Sequence, residues 1–257
     1  MKKHLQRARL VMRIRPAIAA ALVKRLLGVR RREADTVAGR FWVDPASYLG
    51  LTLLEHGAYE PEMMATVERY LQPGDTFVDL GANEGYFTVA GARRVGTAGR
   101  VLAIEPQRRL QEVLRRNLAL NGCSDRVALA AVAISDRAGE ASLHLTPGVN
   151  NSASSLSRPT RYPLARQRVA CDTLERTLAA HGIAECALLK IDVEGWEYEA
   201  VLGSPEFFRQ RRARAVALEL HPAVLARRGL DGEKITRFLG ECGYVAADAP
   251  TLVYVRT

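Results

Sequence analysis

The chain has 257 residues and a mass of 28.3 kDa, enough for one large α/β domain with a substantial core. Its hydrophobic content of 48% is ordinary for a soluble protein, and it has no run of 18 apolar residues, so no transmembrane helix is expected. The four cysteines are dispersed and form no C-x-x-C pair. This excludes a zinc knuckle or a dithiol redox motif and favours a cytoplasmic location.

The formal net charge of +9 is concentrated at the N-terminus. Residues 1–32 contain eleven lysines and arginines and no acid, and removing these from the total of 37 leaves 26 basic against 28 acidic residues. We therefore expect a basic arm over residues 1–35 and a nearly neutral domain over residues 36–257. The near balance of the domain argues against a basic nucleic-acid-binding groove, and no nucleic-acid partner is expected.

The arm contains a predicted helix from Pro16 to about Leu27. Proline suits a first helical position, and apolar residues follow at helical spacing as far as Leu26, although Arg25 falls near the same face. Two interpretations are open. The helix either packs against the domain, or residues 1–32 make peripheral contact with an anionic membrane or partner.

Beyond an irregular segment at Phe41–His56, strands and helices alternate. Helices are predicted over Glu60–Leu71, Glu84–Val95, Gln107–Asn121, Asp172–His181 with Asp172 as its cap, Trp196–Leu202 and Gly232–Cys242. Strands are predicted over Thr76–Leu80, Arg100–Ile104, Val127–Ile134, Glu140–Leu145, Ala187–Asp192 and Ala213–Leu220, with a closing hairpin of Tyr244–Ala247 and Leu252–Val255. This alternation predicts an α/β fold with a mostly parallel sheet, helices on both faces and ligands at the carboxyl ends of the first strands.

The segment Thr76–Val89, TFVDLGANEGYFTV, joins a strand to a helix through a glycine turn. Its spacing is G-x-x-x-G with an acid two residues ahead, which matches neither the dinucleotide fingerprint nor the phosphate loop. Asp79 and Glu84 would also repel a pyrophosphate. An acid-lined turn is better suited to a cationic ligand, such as a sulfonium that carries an α-amino group.

Two later strand ends add candidate ligand contacts. Glu105 follows the second strand about 20 residues after the glycine turn, where an acid can accept both hydroxyls of a ribose. Ser135 and Asp136 follow the third strand, where a polar group can meet the amine of an adenine. Asp136 and Gly139 also fit a simple turn, and that alternative stays open.

The apolar run before Lys190 ends in KIDVEG, Lys190–Gly195. Strand alternation sends Lys190 and Asp192 to the same face, with Glu194 past the strand end. These groups are either used in chemistry or form a structural ion pair, with Glu194 capping the next helix. His221 ends the following strand and could accept a proton or bind a metal. Together with Glu219 these groups could ligate Mg²⁺, although a metal is not expected.

The segment Pro147–Arg168 is longer than most loops of a compact domain, which favours a lid or a substrate loop. Its serines and asparagines offer neutral hydrogen-bonding groups to a polyhydroxylated acceptor. A disordered surface insertion has the same composition and remains the alternative.

These motifs resemble the FkbM family of S-adenosylmethionine-dependent methyltransferases. The resemblance rests on VDLGANEGYFT at Val78–Thr88, on Glu105-Pro106 and on LKIDVEG at Leu189–Gly195, within a stretch from about Pro73 to Leu220. It implies a Rossmann-like class I methyltransferase fold, whose mostly parallel seven-stranded sheet ends in an antiparallel hairpin. It also implies S-adenosylmethionine as the donor and a hydroxyl acceptor on a sugar, a glycan or a secondary metabolite.

The resemblance also implies roles for individual residues. Asp79, Gly81, Asn83 and Gly85 match the family's cofactor turn, Glu105 matches its ribose acid, and Lys190, Asp192 and Glu194 match its fourth-strand motif.

The leading hypothesis is O-methylation by in-line displacement, in which a base removes the acceptor proton. Asp192 or Glu194 is the first candidate base and His221 the next, with Lys190 as an orienting group. The rivals are a nicotinamide-dependent dehydrogenase, a methyltransferase that acts on nitrogen or nucleic acid, and a non-enzymatic adaptor built around the basic arm.

Overall fold

The computed structural model describes residues 2–14, 17–145, 166–249 and 251–257. The N-terminal region contains two helices, a hairpin and two further helices: α1 (Lys2–Arg13), α2 (Ala17–Leu26), β1 (Arg32–Thr36), β2 (Gly39–Val43), α3 (Tyr48–His56) and α4 (Pro61–Tyr70). The prediction that Phe41–His56 is irregular is therefore wrong, because the range contains the end of β2 and all of α3. Ser47 begins α3 as its cap, with its hydroxyl accepting a bond of 3.0 Å from the Gly50 amide.

The arm packs on the body through its inner faces. Ala8, Val11 and Ala20 form a small apolar cluster with Val29 and with Ala46 of the body. Helix α2 agrees with the prediction, whereas α1 was not predicted, and the boundary predicted at residue 35 falls inside β1. The division into an arm and a domain stays a prediction.

The main sheet has seven strands in the order β11-β12-β10-β9-β3-β4-β5. Its strands are β3 (Thr76–Leu80), β4 (Arg100–Ile104), β5 (Val127–Ala130), β9 (Cys186–Ile191), β10 (Ala213–Leu218), β11 (Tyr244–Ala246) and β12 (Val253–Arg256). Strand β12 runs antiparallel to both of its neighbours, and the pairs from β10 to β5 are parallel. The predicted fold class is confirmed, and the order reverses between β3 and β9, where a ligand cleft is expected.

A smaller sheet corrects two predictions. The strand predicted over Val127–Ile134 is split, because only β6 (Ala133–Ile134) joins β8 (Arg166–Asp172) and β7 (Gly139–His144) in a second sheet. Asp172 belongs to β8 and does not cap the next helix. Thr173 is the cap instead, and its hydroxyl accepts a bond of 3.2 Å from the Arg176 amide.

The remaining helices cover both faces of the main sheet, as buried parallel sheets require. They are α5 (Tyr86–Val95), α6 (Arg108–Leu120), α7 (Leu174–Ala180), α8 (Glu197–Leu202), α9 (Pro205–Arg209), α10 (Pro222–Arg227) and α11 (Glu233–Glu241). Alternate residues of each central strand enter opposite core layers. Phe77 and Leu188 pack in one layer, and Val78 and Leu189 in the other. Among the described helices, none combines the length and apolar character needed to span a bilayer.

Candidate active site

A cleft opens at the carboxyl ends of β3, β4 and β9. Strand β3 ends at Leu80, and the chain then turns at Gly81 with φ +85°. A β-carbon at Gly81 would lie 1.7 Å from the carbonyl oxygen of Asp192, so only glycine lets the two strand ends approach this closely. Gly81 and Asn83 line the cleft.

Asn83 joins this turn to Glu105. Its backbone takes φ +52°, and its amide donates to Glu105 Oε2 at 2.9 Å. Its side-chain oxygen Oδ1 is buried without a hydrogen-bond partner among the described residues. Gly85, at φ +88°, begins α5 against Leu114 and lies outside the cleft lining.

Glu105 lines the cleft and is buried. Its second oxygen, Oε1, accepts the Gln107 amide at 2.7 Å. Burial raises the pKa of this carboxyl to about 7, while the two amide bonds act in the opposite direction. The cleft therefore has an oriented carboxyl where the sequence predicted the ribose acid.

Asp79 and Lys190 form a buried pair behind the cleft. They are register partners on β3 and β9, their side chains are 1% and 2% exposed, and Lys190 Nζ lies 3.5 Å from Asp79 Oδ1. The other Asp79 oxygen accepts the Thr88 hydroxyl at 2.6 Å. Asp79 does not line the cleft and is the buried partner of Lys190, so its direct contact with the cofactor stays a prediction.

Lys190 also reaches forward to the cleft. Its Nζ lies 3.3 Å from Asp192 Oδ2 and 5.4 Å from the centre of the Phe87 ring. Burial lowers the pKa of Lys190, but the carboxylates of Asp192 and Asp79, with those of Glu60 and Glu219, outweigh it and hold the pKa above its ordinary value. Lys190 is therefore an ammonium group that orients Asp192.

Glu84 corrects the expectation of an acid-lined turn. Its side chain is 2% exposed and accepts two bonds from Arg31, at 2.6 and 3.1 Å. Its backbone carbonyl accepts the Asn117 side chain at 2.8 Å, and Glu84 does not line the cleft. The acid fastens the arm to the domain and gives the cleft no negative charge.

The predicted adenine corner is apolar. Ser135 and Asp136 lie outside the cleft lining, and the Ser135 hydroxyl is 3.2 Å from Asp136 Oδ1. Five neighbouring apolar side chains line this part of the cleft instead: Leu110, Val132, Ala133, Ile134 and Leu143. A flat apolar ring fits this wall, while the polar contacts predicted for Ser135 and Asp136 stay predictions.

Four ionisable groups meet where β9 and β10 end. Glu194 follows β9 with φ +52°, and its Oε2 lies 3.5 Å from His221 Nε2. Burial, followed by the charge of Asp192, raises the pKa of Glu194 to about 7, and the pKa of Glu219 is raised by the same causes. The three residues predicted as bases, Asp192, Glu194 and His221, are thus brought together.

Glu197 holds His221 and was not predicted. Its fully buried carboxylate oxygen Oε1 accepts His221 Nδ1 at 2.8 Å and the Gly195 amide at 2.9 Å. The bond to Glu197 raises the pKa of His221 to about 9, despite the opposing effect of burial. His221 is therefore mainly protonated at neutral pH. Its closer carboxylate partner is Glu197 rather than Glu194.

A divalent cation would find ligands in the same cluster. One ligand atom from each of Asp192, Glu219 and His221 lies within 4.8 Å of the other two. Two carboxylates and an imidazole suit a hard or borderline cation. Asp192 already has the Lys190 ammonium beside it, however, and the protonated His221 would have to lose a proton.

The sequence did not predict several cleft residues. Tyr59 and Glu60 come from the turn before α4, where Glu60 has φ +41°, and they line the cleft together with Trp196. Trp196 stacks under Arg228, whose guanidinium carbon lies 3.6 Å from the ring centre, and its indole nitrogen Nε1 is buried without a described hydrogen-bond partner. No local pattern marked these residues, because they approach the cleft only through tertiary packing.

The predicted lid at Pro147–Arg168 lies outside the described residues, apart from its last three. Residues 166–168 belong to β8. The Gln167 side chain donates to the Pro106 carbonyl at 3.0 Å, so the end of this segment reaches the rim of the cleft.

The sheet order, with a glycine turn after β3 and an acid after β4, is the arrangement expected of the Rossmann-like class I methyltransferase fold. The methyltransferase FkbM domain model matches residues 79–246, nearly two thirds of the chain. The chain belongs to the FkbM methyltransferase family. This assignment confirms the predicted enzyme class and S-adenosylmethionine as the methyl donor, and it removes the dehydrogenase and the non-enzymatic adaptor.

Individual relatives are distant. Over 75 residues the chain is 41% identical to a probable cobalt-precorrin-6B C(15)-methyltransferase (decarboxylating) of Halobacterium salinarum, covering 28% of this chain and 38% of that protein. A methyltransferase FkbM structure from Methylobacillus flagellatus KT shares 14% identity over 75% of this chain and 50% of its own, with a TM-score of 0.47. A putative rRNA-methylase structure from Clostridium thermocellum shares 12% identity, over 76% of this chain and 92% of its own, with a TM-score of 0.49. The family match alone carries the assignment.

The residues of the cleft fit this donor. The Glu105 carboxyl can accept ribose hydroxyls, the apolar wall around Ile134 can take adenine, and the buried Asn83 Oδ1 is an acceptor in need of a donor.

Proposed function

We propose that the chain transfers a methyl group from S-adenosylmethionine to a hydroxyl oxygen of a small molecule or glycan, such as a sugar or a secondary metabolite. One observation carries the proposal. Glu194, with its pKa near 7, stands on the wall of the donor cleft beside Glu219, and Glu219 also lines a second cleft. A candidate base therefore lies beside a residue that lines both clefts.

The second cleft suits a polyhydroxylated acceptor. Tyr59, Glu60 and Glu219 line both clefts, and the second continues past Tyr48 and His56 of α3. Tyr48 is 59% exposed, so its ring is open to a ligand. Aromatic faces combined with a few carboxylates are typical of sites that bind an apolar ring face and orient its hydroxyls.

Glu194 is the preferred general base. A base with a pKa near 7 is about half ionised at neutral pH and is basic enough to take a hydroxyl proton during attack. His221 has a pKa of about 9 and is mainly protonated, so it serves better as a cationic partner of the Glu194 carboxylate than as a base. Lys190 holds Asp192, which leaves Asp192 as an orienting acceptor for the hydroxyl.

When bound, S-adenosylmethionine supplies a methyl group already activated by its sulfonium. The chain's task is then alignment, which can provide much of the acceleration. Glu105 and Asn83 would hold the ribose side of the donor cleft, and Glu194 and Asp192 would fix the acceptor hydroxyl. Tyr59 and Trp196 add aromatic surface to the wall of the donor cleft.

The test combines binding and turnover. Calorimetry with S-adenosylhomocysteine establishes the donor site, and a panel of sugars and hydroxylated metabolites is then screened, with the methylated atom identified by NMR. With an accepted substrate, kcat/KM should rise with pH through about 7 and then level, because the carboxylate form of Glu194 is the active one.

Glu194→Gln should lower kcat by about 10²- to 10⁴-fold and remove this pH dependence, while S-adenosylhomocysteine affinity is kept. Glu185→Gln is the matched control, since Glu185 is 66% exposed just before β9, at the opposite end of the same strand. Normal turnover by Glu194→Gln would exclude Glu194 as the base, and a methylated nitrogen in the product would overturn the proposal of O-methylation.

A further inference from the structure

The two N-terminal helices expose leucines to solvent. Leu10 on α1 is 54% exposed, and Leu22 and Leu26 on α2 are 61% and 76% exposed. The inner faces of the same helices are already buried, with Ala8 and Ala20 in contact with the body. Both helices therefore pack on the body through other residues, and the leucines lie on their outer faces.

Arginines share the faces that carry these leucines. Arg13 follows Leu10 at i+3, and Arg25 lies at i+3 from Leu22 and beside Leu26, so each leucine has a cation on its side of the helix. Both arginines are exposed, and neither forms an ion pair with a described carboxylate. We call Leu10, Arg13, Leu22, Arg25 and Leu26 the basic leucine surface.

The other arm cations show a different use. Lys24 pairs with the buried Asp44, Arg9 with Glu55 at 2.8 Å, and Arg31 with Glu84. These three pairs fasten the arm to the body. Three of the arm's cations thus have acidic partners on the body, whereas Arg13 and Arg25 flank exposed leucines.

We propose that the basic leucine surface docks on an anionic lipid bilayer. Leucine side chains can enter the boundary between headgroups and acyl chains, while arginines reach the phosphates, and the absence of acid from residues 1–32 leaves no repulsive charge. A nucleic acid would use the arginines but would leave three leucines in water. Charge complementarity and apolar exposure together favour the bilayer.

The helices that carry the basic leucine surface adjoin a helix of the second cleft. Arg9 on α1 is ion-paired with Glu55 on α3, and α3 carries Tyr48 and Thr52 of the second cleft. The surface and the cleft are thus joined through adjacent helices. A hydroxylated acceptor held at a membrane surface would be within reach of a docked enzyme.

The test is co-sedimentation of the full chain with vesicles. Vesicles of phosphatidylcholine with one third phosphatidylglycerol are compared with pure phosphatidylcholine, at low and high salt. The full chain should bind only the anionic vesicles, and added salt should weaken binding. Arg13→Gln/Arg25→Gln should bind about 25-fold more weakly, since each cation contributes roughly fivefold. Leu22→Ser/Leu26→Ser should lose at least about tenfold through lost apolar burial.

Matched controls carry the same changes elsewhere. Arg137 is 85% exposed and Val245 is 48% exposed, so Arg137→Gln/Val245→Ser alters an arginine and an apolar residue outside the arm. This control should bind like the unaltered chain, and all variants should keep their affinity for S-adenosylhomocysteine. Equal vesicle binding by helix and control variants would overturn the proposal. Binding of a short RNA duplex in place of vesicles would also overturn the proposal, if the arginine variant lost RNA binding and the leucine variant kept it.

Discussion

Replacing Lys190 by methionine tests the central pair of the fold. Methionine fills similar space but removes the ammonium that lies 3.5 Å from Asp79 Oδ1. Asp79 would keep only the Thr88 hydroxyl, at a site where its side chain is 1% exposed. Its charge would then be buried without compensation.

The expected loss of stability is large. Breaking a buried ion pair by removing one partner costs about 3–5 kcal/mol. For a chain of this size each kcal/mol lowers Tm by about 2–4 °C, so Lys190→Met should melt about 6–20 °C lower. Asp79→Asn in the Lys190→Met background should recover part of the loss, because it removes the stranded charge.

Urea unfolding followed by circular dichroism measures this effect in the single and double variants. Lys234→Met is the matched control, since Lys234 is exposed on α11 and should change stability little. A loss of less than about 1 kcal/mol in Lys190→Met would show that the ion pair does not stabilise the fold, and so would a further loss when Asp79→Asn is added.

Two further predictions concern the turn and the histidine. Gly81→Ala should weaken S-adenosylhomocysteine binding in calorimetry and lower the urea midpoint, because its β-carbon meets the Asp192 carbonyl at 1.7 Å; unchanged affinity would contradict the geometry. The folded pKa of His221, about 9, exceeds the ordinary value of 6.5, so its bond to Glu197 contributes stability that is complete below about pH 6.5 and lost as pH rises through about 9. Between pH 6 and pH 10 the urea midpoint of the unaltered chain should decrease, and that of His221→Gln should change less. Identical pH profiles would show that the titration of His221 does not affect stability.

The central strands could be predicted because their signals are local. Strands β3, β4 and β9 are short apolar runs ended by glycine or charge, and the observed bounds match within a residue. Strand β5 was extended too far because Val127–Ile134 stays apolar across the break at residues 131–132. Only the pairing of β6 with β8, from distant sequence, shows that two sheets share this run.

The cluster of bases could be predicted in membership but not in function. Strand ends of a parallel sheet share one edge, which brought Asp192, Glu194 and His221 together. Their protonation depends on a buried partner, Glu197, whose position in the next helix gives no sequence signal. The pKa of about 9 for His221 favours Glu194 as the base, and this pKa follows from a tertiary contact that the sequence does not reveal.

The glycine turn selects against pyrophosphate for a reason other than its acids. Glu84 is neutralised by Arg31, and Asp79 by Lys190, so neither charge faces the cleft. A phosphate loop needs free backbone amides. Here the Gly81 and Ala82 amides donate to the Ile104 carbonyl, the Asn83 amide donates to Glu105, and the Gly85 amide donates to the Ala82 carbonyl. Because these donors are already used inside the turn, they are not available to phosphate oxygens.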